Sequence, residues 1–287
     1  MSVYRNFTLT VGDISFMKFR IFKVSSIFLL ILLIFSCSEY SKVLKSGDNN
    51  RKKDFAIQMY EEEEWLKSVT LLEEIIPYYK LTPDGEKLYF MYCMGNYNMG
   101  DYYLAGYYFK RFIRQFPASK HAEEAQFLSA LCAVKNSPDY KLDQTETLNA
   151  LDELQIFIDL YPNSNRIDTC NKIMDRLNGK LELKTYENSM LYYRTENYKA
   201  AVVAFKGMLE KYPESKYKEE LLFYIVKSSY LLAINSIDTK KKERLEETLK
   251  SYRTFVAAFP ESGWLNEAEG IKSKTEKELA DFVENVE

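Results

Sequence analysis

One four-residue phrase occurs four times between positions 116 and 262 of this chain. It consists of an aromatic residue, proline, any residue and serine, and its copies are Phe116–Ser119, Tyr161–Ser164, Tyr212–Ser215 and Phe259–Ser262. The prolines are 45, 51 and 47 residues apart. Repetition of a motif at intervals of this length is the sequence signature of a helical solenoid, in which each unit stacks on its neighbours.

The residues upstream of each proline follow a second pattern, with a bulky residue eight positions before it and a small residue twelve positions before it. The bulky positions hold Phe109, Leu154, Phe205 and Tyr252, and the small positions hold Ala105, Ala150, Ala201 and Thr248. This is the second half of the tetratricopeptide pattern, in which a small residue lets two helices approach closely and a bulky one fills the groove beside it. The proline then ends the helix, and the serine is expected to cap the next one.

These patterns predict an all-α fold, a right-handed α-solenoid of about five tetratricopeptide repeats with a C-terminal capping helix. Repeats one and two are expected at 51–117, repeats three to five at 118–260, and the capping helix at 261–287. Repeats three and five exceed the usual length of about 34 residues. Their extra residues are expected as loops between the paired helices, at 136–144 and 235–242.

The N-terminal residues have the pattern of an export signal. Three basic residues precede an apolar run of 12 residues, 24–35, and a serine separates this run from Cys37. The run is too short to span a membrane, since a spanning helix needs about 20 apolar residues. We therefore expect a signal peptide at 1–36, with 1–16 ahead of the true translation start, and a polar tether at 37–50.

A cysteine directly after the expected cleavage site is the mark of a bacterial lipoprotein, and the residues before Cys37 resemble a lipobox. The resemblance implies that diacylglycerol is attached to the Cys37 thiol and that an N-acyl chain such as palmitate is added after cleavage. Such chains anchor a protein stably, because each buried methylene contributes about 0.8 kcal/mol. The alternative is an uncleaved anchor, or an ordinary signal peptide followed by a chance cysteine.

Composition and motifs argue against several other functions. The net charge of −3 provides no basic footprint for nucleic acid. The sole histidine, His121, is expected to be solvated in the first turn of a helix, and the run Glu61–Glu64 distributes charge around a helix end. No metal-ligand spacing, phosphate-binding glycine loop or nucleophile motif is present. The sequence thus predicts no catalytic residue, no metal site, no cofactor beyond the covalent lipid, and no enzymatic activity.

Three further cysteines give little information about disulfides. Cys93, Cys132 and Cys170 lack paired spacing, which favours buried small residues on repeat helices. The periplasm would nevertheless permit a disulfide among them.

The chain resembles the BamD family, which comprises outer-membrane lipoproteins of the β-barrel assembly machinery, in a form like that of the Bacteroidetes. The resemblance rests on Cys37, on five repeats in the 251 residues from Cys37 to Glu287, and on the phrase that closes four of the repeats. It implies a scaffold held by its lipid at the periplasmic face of the outer membrane. The implied partners are a BamA-like β-barrel insertase with periplasmic domains, unfolded outer-membrane proteins, and outer-membrane lipid.

A tyrosine-rich segment is the candidate peptide-binding surface. Residues 78–116 hold nine tyrosines, and one helix cannot bury all of its share on a single stripe. Tyrosine offers rigid apolar area with a polar tip, which suits the capture of an extended peptide. The candidates are Tyr89, Tyr92, Tyr103, Tyr107 and Tyr108. The family resemblance implies that this part of the chain receives the C-terminal segments of unfolded outer-membrane proteins; the alternative is that the tyrosines only thicken the repeat core.

The family resemblance also implies that repeats four and five and the terminal helix hold the insertase. The candidate docking residues are Lys240, Lys241, Lys242 and Arg244, which are expected near a loop of repeat five. Such a basic loop could meet acidic residues of a partner and set docking register and association rate. Alternatively, it is simply solvated.

Two other functions share parts of this pattern. A tetratricopeptide lipoprotein that coordinates cell-wall synthesis or cell division would have the same repeats, often with a coiled coil, but no sustained heptads occur here. A carbohydrate-binding lipoprotein of the glycan-uptake type would be about twice as long, with a large sugar-binding insertion. The assembly scaffold is therefore the favoured hypothesis, and the cell-wall scaffold is its alternative.

Overall fold

The computed structural model describes residues 39–284, and side chains up to residue 281. The regular structure of this part of the chain is entirely helical. Its long helices are α1 (Asn49–Glu61), α2 (Trp65–Tyr79), α3 (Gly85–Asn98), α4 (Tyr102–Gln115), α5 (Ala122–Asn136), α6 (Thr145–Leu160), α7 (Ile167–Arg194), α8 (Tyr198–Lys211), α9 (Lys218–Ile234), α10 (Asp238–Ala258) and α11 (Leu265–Glu284). We number the consecutive helix pairs α1–α2 to α9–α10 as repeats 1 to 5. The predicted all-α repeat fold is confirmed.

The described chain divides into two compact units. Unit 1 contains the described residues up to Asn136 together with Glu153–Tyr161, and unit 2 contains Ser137–Asp152 together with the residues from Pro162 onward. In unit 1, each helix from α1 to α4 packs on the next one in sequence. In unit 2, α7 to α11 do the same, and α11 also contacts α9. Sequential packing of this kind is what a helical repeat requires.

The two predicted sequence positions of each repeat lie in the helix interfaces. All four small residues, Ala105, Ala150, Ala201 and Thr248, have no exposed surface. Among the bulky residues, Phe109, Leu154 and Phe205 are fully buried, and Tyr252 is 8% exposed. In repeats 2, 4 and 5, close approach of two helices at a small residue, with a large buried side chain beside it, therefore contributes to the core.

The repeated phrase forms the same turn between successive repeats. Each of its serines accepts, through Oγ, a hydrogen bond from the backbone N–H two residues later, at 2.9, 3.2, 3.1 and 3.1 Å. Each serine carbonyl oxygen accepts the N–H three residues later, where the next helix begins. The serines therefore satisfy backbone donors as predicted, although the donor bound by Oγ lies in the turn that leads into the helix.

In repeats 1, 2 and 4, the turn between the paired helices contains one residue in the left-handed backbone region. Glu63, Gly100 and Glu196 have φ values of 59°, 82° and 59°. The following backbone N–H bonds back across the end of the helix, for example from Asp101 to Asn96 at 3.1 Å and from Asn197 to Tyr192 at 2.9 Å. This is the Schellman arrangement, in which glycine is the residue without steric cost.

The extra residues of repeats 3 and 5 adopt different structures. Repeat 3 has a loop at 137–144, and the Lys184 ammonium donates to the carbonyl oxygens of Tyr140 and Leu142 at 3.2 and 2.7 Å. The loop predicted at 235–242 is wrong, because α9 ends at Ile234 and α10 already begins at Asp238. Its lysine- and glutamate-rich sequence favours helix, so the extra residues lengthen α10 instead.

The segment predicted as a tether is partly packed on unit 1. Residues 39–44 are helical, and Val43 is 1% exposed within the cluster that joins α1, α2 and α3. Tyr40 and Leu44 pack against the same cluster. The predicted signal peptide, the start-site artefact and Cys37 lie outside the described residues.

Candidate binding surfaces

Two of the five candidate tyrosines lie in the core of unit 1. Tyr89 and Tyr92, both on α3, are 4% and 3% exposed. Tyr89 contacts the rings of Phe112 and Phe116, with centroids 6.1 and 6.3 Å apart. Burial raises the pKa of both hydroxyls well above the usual value for tyrosine. These two residues therefore belong to the repeat core and cannot line an open groove.

The other three candidates share one part of α4. Tyr103 and Tyr107 are 65% and 53% exposed, one helical turn apart, and Tyr108 is half-buried. The Tyr108 ring links the surface to the core, since its centroid lies 5.2 Å from that of Tyr107 and 4.7 Å from that of Tyr92. We call Tyr103, Tyr107 and Tyr108 the aromatic shelf, an exposed aromatic surface that contacts the core through Tyr108.

The same exposed face of α4 continues as a basic stripe. Lys110, Arg111 and Arg114 are exposed and follow Tyr103 and Tyr107 at helical spacing. Lys110 Nζ lies 2.5 Å from Glu153 Oε1. Within the described residues, no ion pair is found for Arg111 or Arg114. Guanidinium groups beside aromatic rings can bind oxyanions such as carboxylates and phosphates. We call this surface the α4 face and define it as Tyr103, Tyr107, Lys110, Arg111 and Arg114.

A groove of about 290 Å³ opens in unit 2 between α8, α9 and α10. Its apolar lining residues are Leu209, Leu222 and Ile225, and its polar ones are Lys206, Glu210, Glu247, Lys250, Ser251 and Thr254. Lys206 Nζ lies 3.1 Å from Glu247 Oε1 and joins α8 to α10. An apolar lining with a rim of both charges suits a side chain of a protein partner. We call it the unit-2 groove.

The four predicted docking cations lie on α10, in its first two turns, and not in a loop. Lys241 pairs with Glu278 of α11, with Nζ 2.7 Å from Oε2, and this bond raises the lysine pKa. Arg244 donates to the Oγ of Ser236, which lies in the short turn before α10. Lys240 and Lys242 are exposed. The structure therefore assigns two of the four cations to internal contacts and leaves two on the surface.

Sequence reasoning missed a ring stack that recurs where one repeat meets the next. His121 was predicted to be solvated, and its side chain is 30% exposed, but its ring also stacks on Phe90 with centroids 4.4 Å apart and planes at 17°. The equivalent residue in unit 2, Tyr217, stacks on Tyr186 at 4.1 Å and 14°. At the last junction, Trp264 stacks on Phe223 at 5.4 Å and 12°. The histidine is therefore a structural ring, and the signal was its position four residues after a repeat proline.

Sequence reasoning also missed a hydrogen bond that joins the serine of the phrase to the first helix of the preceding repeat. It occurs in two of the four copies. Ser119 Oγ donates to Glu86 at 2.6 Å, and Ser215 Oγ donates to Glu182. Both pairs span 33 residues. The unit-2 groove was missed as well, and its only sequence signal is the pair of small polar residues, Ser251 and Thr254, on one side of α10.

The three described cysteines are core residues. Cys93, Cys132 and Cys170 are free and buried, in line with the prediction of small core residues. Burial raises the pKa of the Cys132 thiol to about 12, which keeps it protonated and unreactive. Within residues 39–281, no group of three histidine, cysteine or acidic side chains could hold a metal ion. Among the described helices, none combines the length and apolar character that crossing a membrane requires.

Comparison with known families finds a match over most of the described chain. A family model described as YfiO, outer membrane lipoprotein, matches residues 54–245. This span begins in α1 and ends in α10, so it includes the α4 face and the groove residues of α8 and α9, whereas the groove residues of α10 lie beyond it.

Three curated relatives are similar over parts of the chain. The outer membrane protein assembly factor BamD of Caulobacter vibrioides is 26% identical over 149 residues, 52% of this chain and 49% of that protein. A protein of Aquifex aeolicus whose name also contains "outer membrane protein assembly factor BamD" is 25% identical over 234 residues, 80% of this chain and 76% of that protein. The BamD of Rickettsia prowazekii is 29% identical over 132 residues, 46% and 51% of the two chains. The chain thus spans about half the length of the Caulobacter and Rickettsia relatives it matches.

Proposed function

We propose a function from the family of this chain, because the chain belongs to the YfiO family of outer membrane lipoproteins. The proposed function is that of a lipid-anchored periplasmic scaffold of the outer-membrane β-barrel assembly complex. The scaffold binds the barrel-forming insertase and unfolded outer-membrane proteins and promotes their folding and insertion. The observation that carries this proposal is the family match over 54–245, together with relatives named as outer membrane protein assembly factors.

The proposed anchor is Cys37, with diacylglycerol on its thiol and an N-acyl chain on its amino group. The signal-like residues before Cys37 and the family description support this assignment. Cys37→Ala should leave the repeats folded and release the protein from membranes, because the remaining chain would lack its acyl chains. Recovery of the whole variant in the membrane fraction, as judged by sedimentation and immunoblotting, would contradict the anchor.

The proposed substrate surface is the exposed aromatic shelf of Tyr103, Tyr107 and Tyr108. Rigid aromatic side chains bind an extended peptide with little loss of side-chain entropy. Tyr89 and Tyr92 are left out of this surface because their exposure of 4% and 3% gives a peptide nothing to touch. Their contribution is to hold the shelf from below.

The proposed insertase surface lies in repeats 4 and 5, at the unit-2 groove and the exposed cations Lys240 and Lys242. The groove supplies apolar area, and charges of both signs on its rim can set the orientation of a partner. We propose that this chain has a non-enzymatic role and no catalytic residue, as is typical of repeat scaffolds.

The experiment is an affinity purification of the C-terminally tagged, full-length lipoprotein from native outer membranes in mild detergent. Stoichiometric recovery of a large β-barrel protein with repeated periplasmic domains is the expected result. Thr254→Trp should fill the unit-2 groove and reduce this recovery at least tenfold, since loss of a central apolar contact costs about 1.4 kcal/mol or more. Arg253→Trp is the matched control, because Arg253 is the exposed neighbour that does not line the groove.

The rival function gives a different result in the same experiment. Recovery of cell-wall synthesis or division proteins, with no such barrel, would leave the fold unchanged and would favour the cell-wall scaffold. Equal loss of the barrel in both tryptophan variants would show that the groove is not the docking site.

A further inference from the structure

We propose that the α4 face docks unit 1 onto the anionic headgroup layer of the membrane that holds the lipoprotein. This inference rests on the lipid anchor of the proposed function. It concerns the orientation of the anchored domain, which the anchor alone does not determine. The occupant is a membrane surface that carries phosphate groups.

The charge of α4 is the first observation. Its sequence, YYLAGYYFKRFIRQ, contains three cations and no acidic residue, although the chain as a whole has a net charge of −3. The cations Lys110, Arg111 and Arg114 lie on one exposed stripe. Arg111 and Arg114 have no carboxylate partner within the described residues, so their guanidinium groups remain available for phosphate.

The second observation is the order of side chains along this stripe. Tyr103 and Tyr107 occupy its N-terminal half and are more than half exposed, and the cations occupy its C-terminal half. Tyrosine favours the boundary between headgroups and acyl chains because its ring is apolar and its hydroxyl is polar. Arginine and lysine favour the anionic surface itself. Both residue types therefore favour the same thin layer.

The third observation is the length of chain between the proposed anchor and the fold. Tyr40 already packs against the core of unit 1 and lies three residues after Cys37. Three extended residues span at most about 11 Å. If Cys37 carries the lipid, this part of unit 1 lies at the membrane surface, and no long tether can move it away.

The packing of unit 1 connects this anchored segment to the α4 face. Tyr108 of α4 packs against the same cluster as Tyr40, Val43 and Leu44. The Tyr107 ring rests against Tyr108 at 5.2 Å. The aromatic part of the α4 face and the first described residues are thus joined by side-chain contacts through this cluster.

The aromatic part of this face is also the substrate surface proposed above, so membrane docking belongs to the substrate-free protein, and a bound peptide would displace the membrane. An acidic protein would be the other class of occupant for a basic face. The short distance to the anchor favours the membrane, because a bilayer is present beside unit 1 at an effective concentration that no soluble partner reaches. The aromatic half of the face favours the membrane as well, since tyrosine contributes little to a purely electrostatic contact.

The test uses the full-length lipoprotein in vesicles that contain lipids brominated near the headgroup, which quench nearby tryptophan. Tyr107→Trp places the reporter on the α4 face. Val203→Trp is the matched control, because Val203 is 66% exposed and lies ten residues before its repeat proline, as Tyr107 does. Trp65 and Trp264 are the native tryptophans and give the same background in both variants.

In vesicles that contain the anionic lipid phosphatidylglycerol, we expect strong quenching at position 107 and weak quenching at position 203. In vesicles without phosphatidylglycerol, this difference in quenching should disappear. Arg111→Gln with Arg114→Gln should lower the docked-to-undocked ratio about tenfold, since each cation near an anionic surface contributes several-fold. The same double change at Lys199 and Lys211 of α8 should have little effect. Equal quenching at 107 and 203, or quenching that survives loss of both arginines, would overturn the proposal.

Two further measurements distinguish membrane docking of the α4 face from lipid anchoring and from binding of a protein partner. Cys37→Ala changes the amount of protein bound to vesicles, whereas the α4 variants change quenching per bound molecule, so failure of one is not failure of the other. Position 107 could be unquenched in vesicles yet crosslink, through a photoreactive residue, to an acidic protein in native membranes. That outcome would replace the membrane by a protein as the occupant.

Discussion

Repeats 2 and 4 contain the same two structural devices at positions 96 residues apart, and the side chains are identical in one device but differ in the other. The phrase serine bonds a glutamate of the first helix in both, and the ring four residues after the proline stacks on that helix in both. Histidine on phenylalanine forms the stack after repeat 2, and tyrosine on tyrosine forms it after repeat 4. Geometry is therefore conserved between the repeats where chemistry is not.

The outer faces of the second helices differ much more. At equivalent positions, α4 carries Tyr103 and Tyr107, and α8 carries Lys199 and Val203. Interior positions must satisfy close packing, which permits only a few side chains, whereas an exposed position is free to serve binding. The comparison teaches that differences between repeats are informative about function only on exposed faces.

Phe109→Ala and Phe205→Ala should cause the largest losses of stability, and the two losses should be equal. Both rings are fully buried at the same repeat position, so each change should cost about 3–5 kcal/mol of unfolding free energy. Urea unfolding followed by tryptophan fluorescence measures this, with Trp65 reporting unit 1 in a Trp264→Phe background and Trp264 reporting unit 2 in a Trp65→Phe background. A cost below about 1 kcal/mol at one position would show that the two repeats do not share a packing scheme.

Ser119→Ala and Ser215→Ala should each cost about 1–2 kcal/mol, since each removes both a turn-capping acceptor and a donor to glutamate. Ser262→Ala is the control, because Ser262 Oγ accepts the backbone N–H of Trp264 but, within the described residues, donates to no glutamate. It loses only the cap, and its cost should be about 1 kcal/mol. Equal costs at all three serines, measured by the same unfolding curves, would show that the glutamate bonds contribute nothing.

The contrast between buried repeat positions and exposed faces explains how much could be predicted from the sequence. The small and bulky positions and the serines were predictable, because packing and capping restrict residue type at a fixed period. The stacks were not, since a histidine and a tyrosine serve equally and their partners lie 31 residues away. Periodicity also could not separate Tyr89 from Tyr107, because α3 is buried around most of its circumference and a stripe pattern is lost. The loop predicted at 235–242 failed because a length excess does not say whether a loop or a helix grows.

Substituting the left-handed residue of each repeat should change stability less, and with opposite signs in the two repeats. Gly100→Ala should destabilise unit 1 by about 1 kcal/mol through left-handed strain alone, since a Cβ there meets no atom within 4 Å. Glu196→Gly should stabilise unit 2 by about 0.5 kcal/mol, because relief of strain is partly offset by the greater freedom of glycine in the unfolded chain. The shifts in urea midpoint give both values, and shifts of the same sign would contradict the shared turn geometry.

The smallest predicted effect concerns one tyrosine hydroxyl from each unit. The buried Tyr89 hydroxyl has no hydrogen-bond partner within the described residues, so Tyr89→Phe should be neutral or stabilising by up to about 1 kcal/mol. Tyr252 donates to Glu269 at 2.7 Å, a bond that raises its pKa to about 12, and Tyr252→Phe should cost about 1 kcal/mol.

The two tyrosines also differ in how their effects depend on pH. Because the folded pKa of Tyr252 exceeds its unfolded value, the contribution of the Glu269 bond is complete below pH 10 and is lost as the pH rises towards 12. The cost of Tyr252→Phe should therefore shrink across that range, as measured by urea unfolding at pH 8 to 11. The Tyr89 hydroxyl makes no such bond, so a destabilised Tyr89→Phe variant at pH 8 would mean that a partner group reaches it and that the core of repeat 2 is more polar than its neighbours indicate.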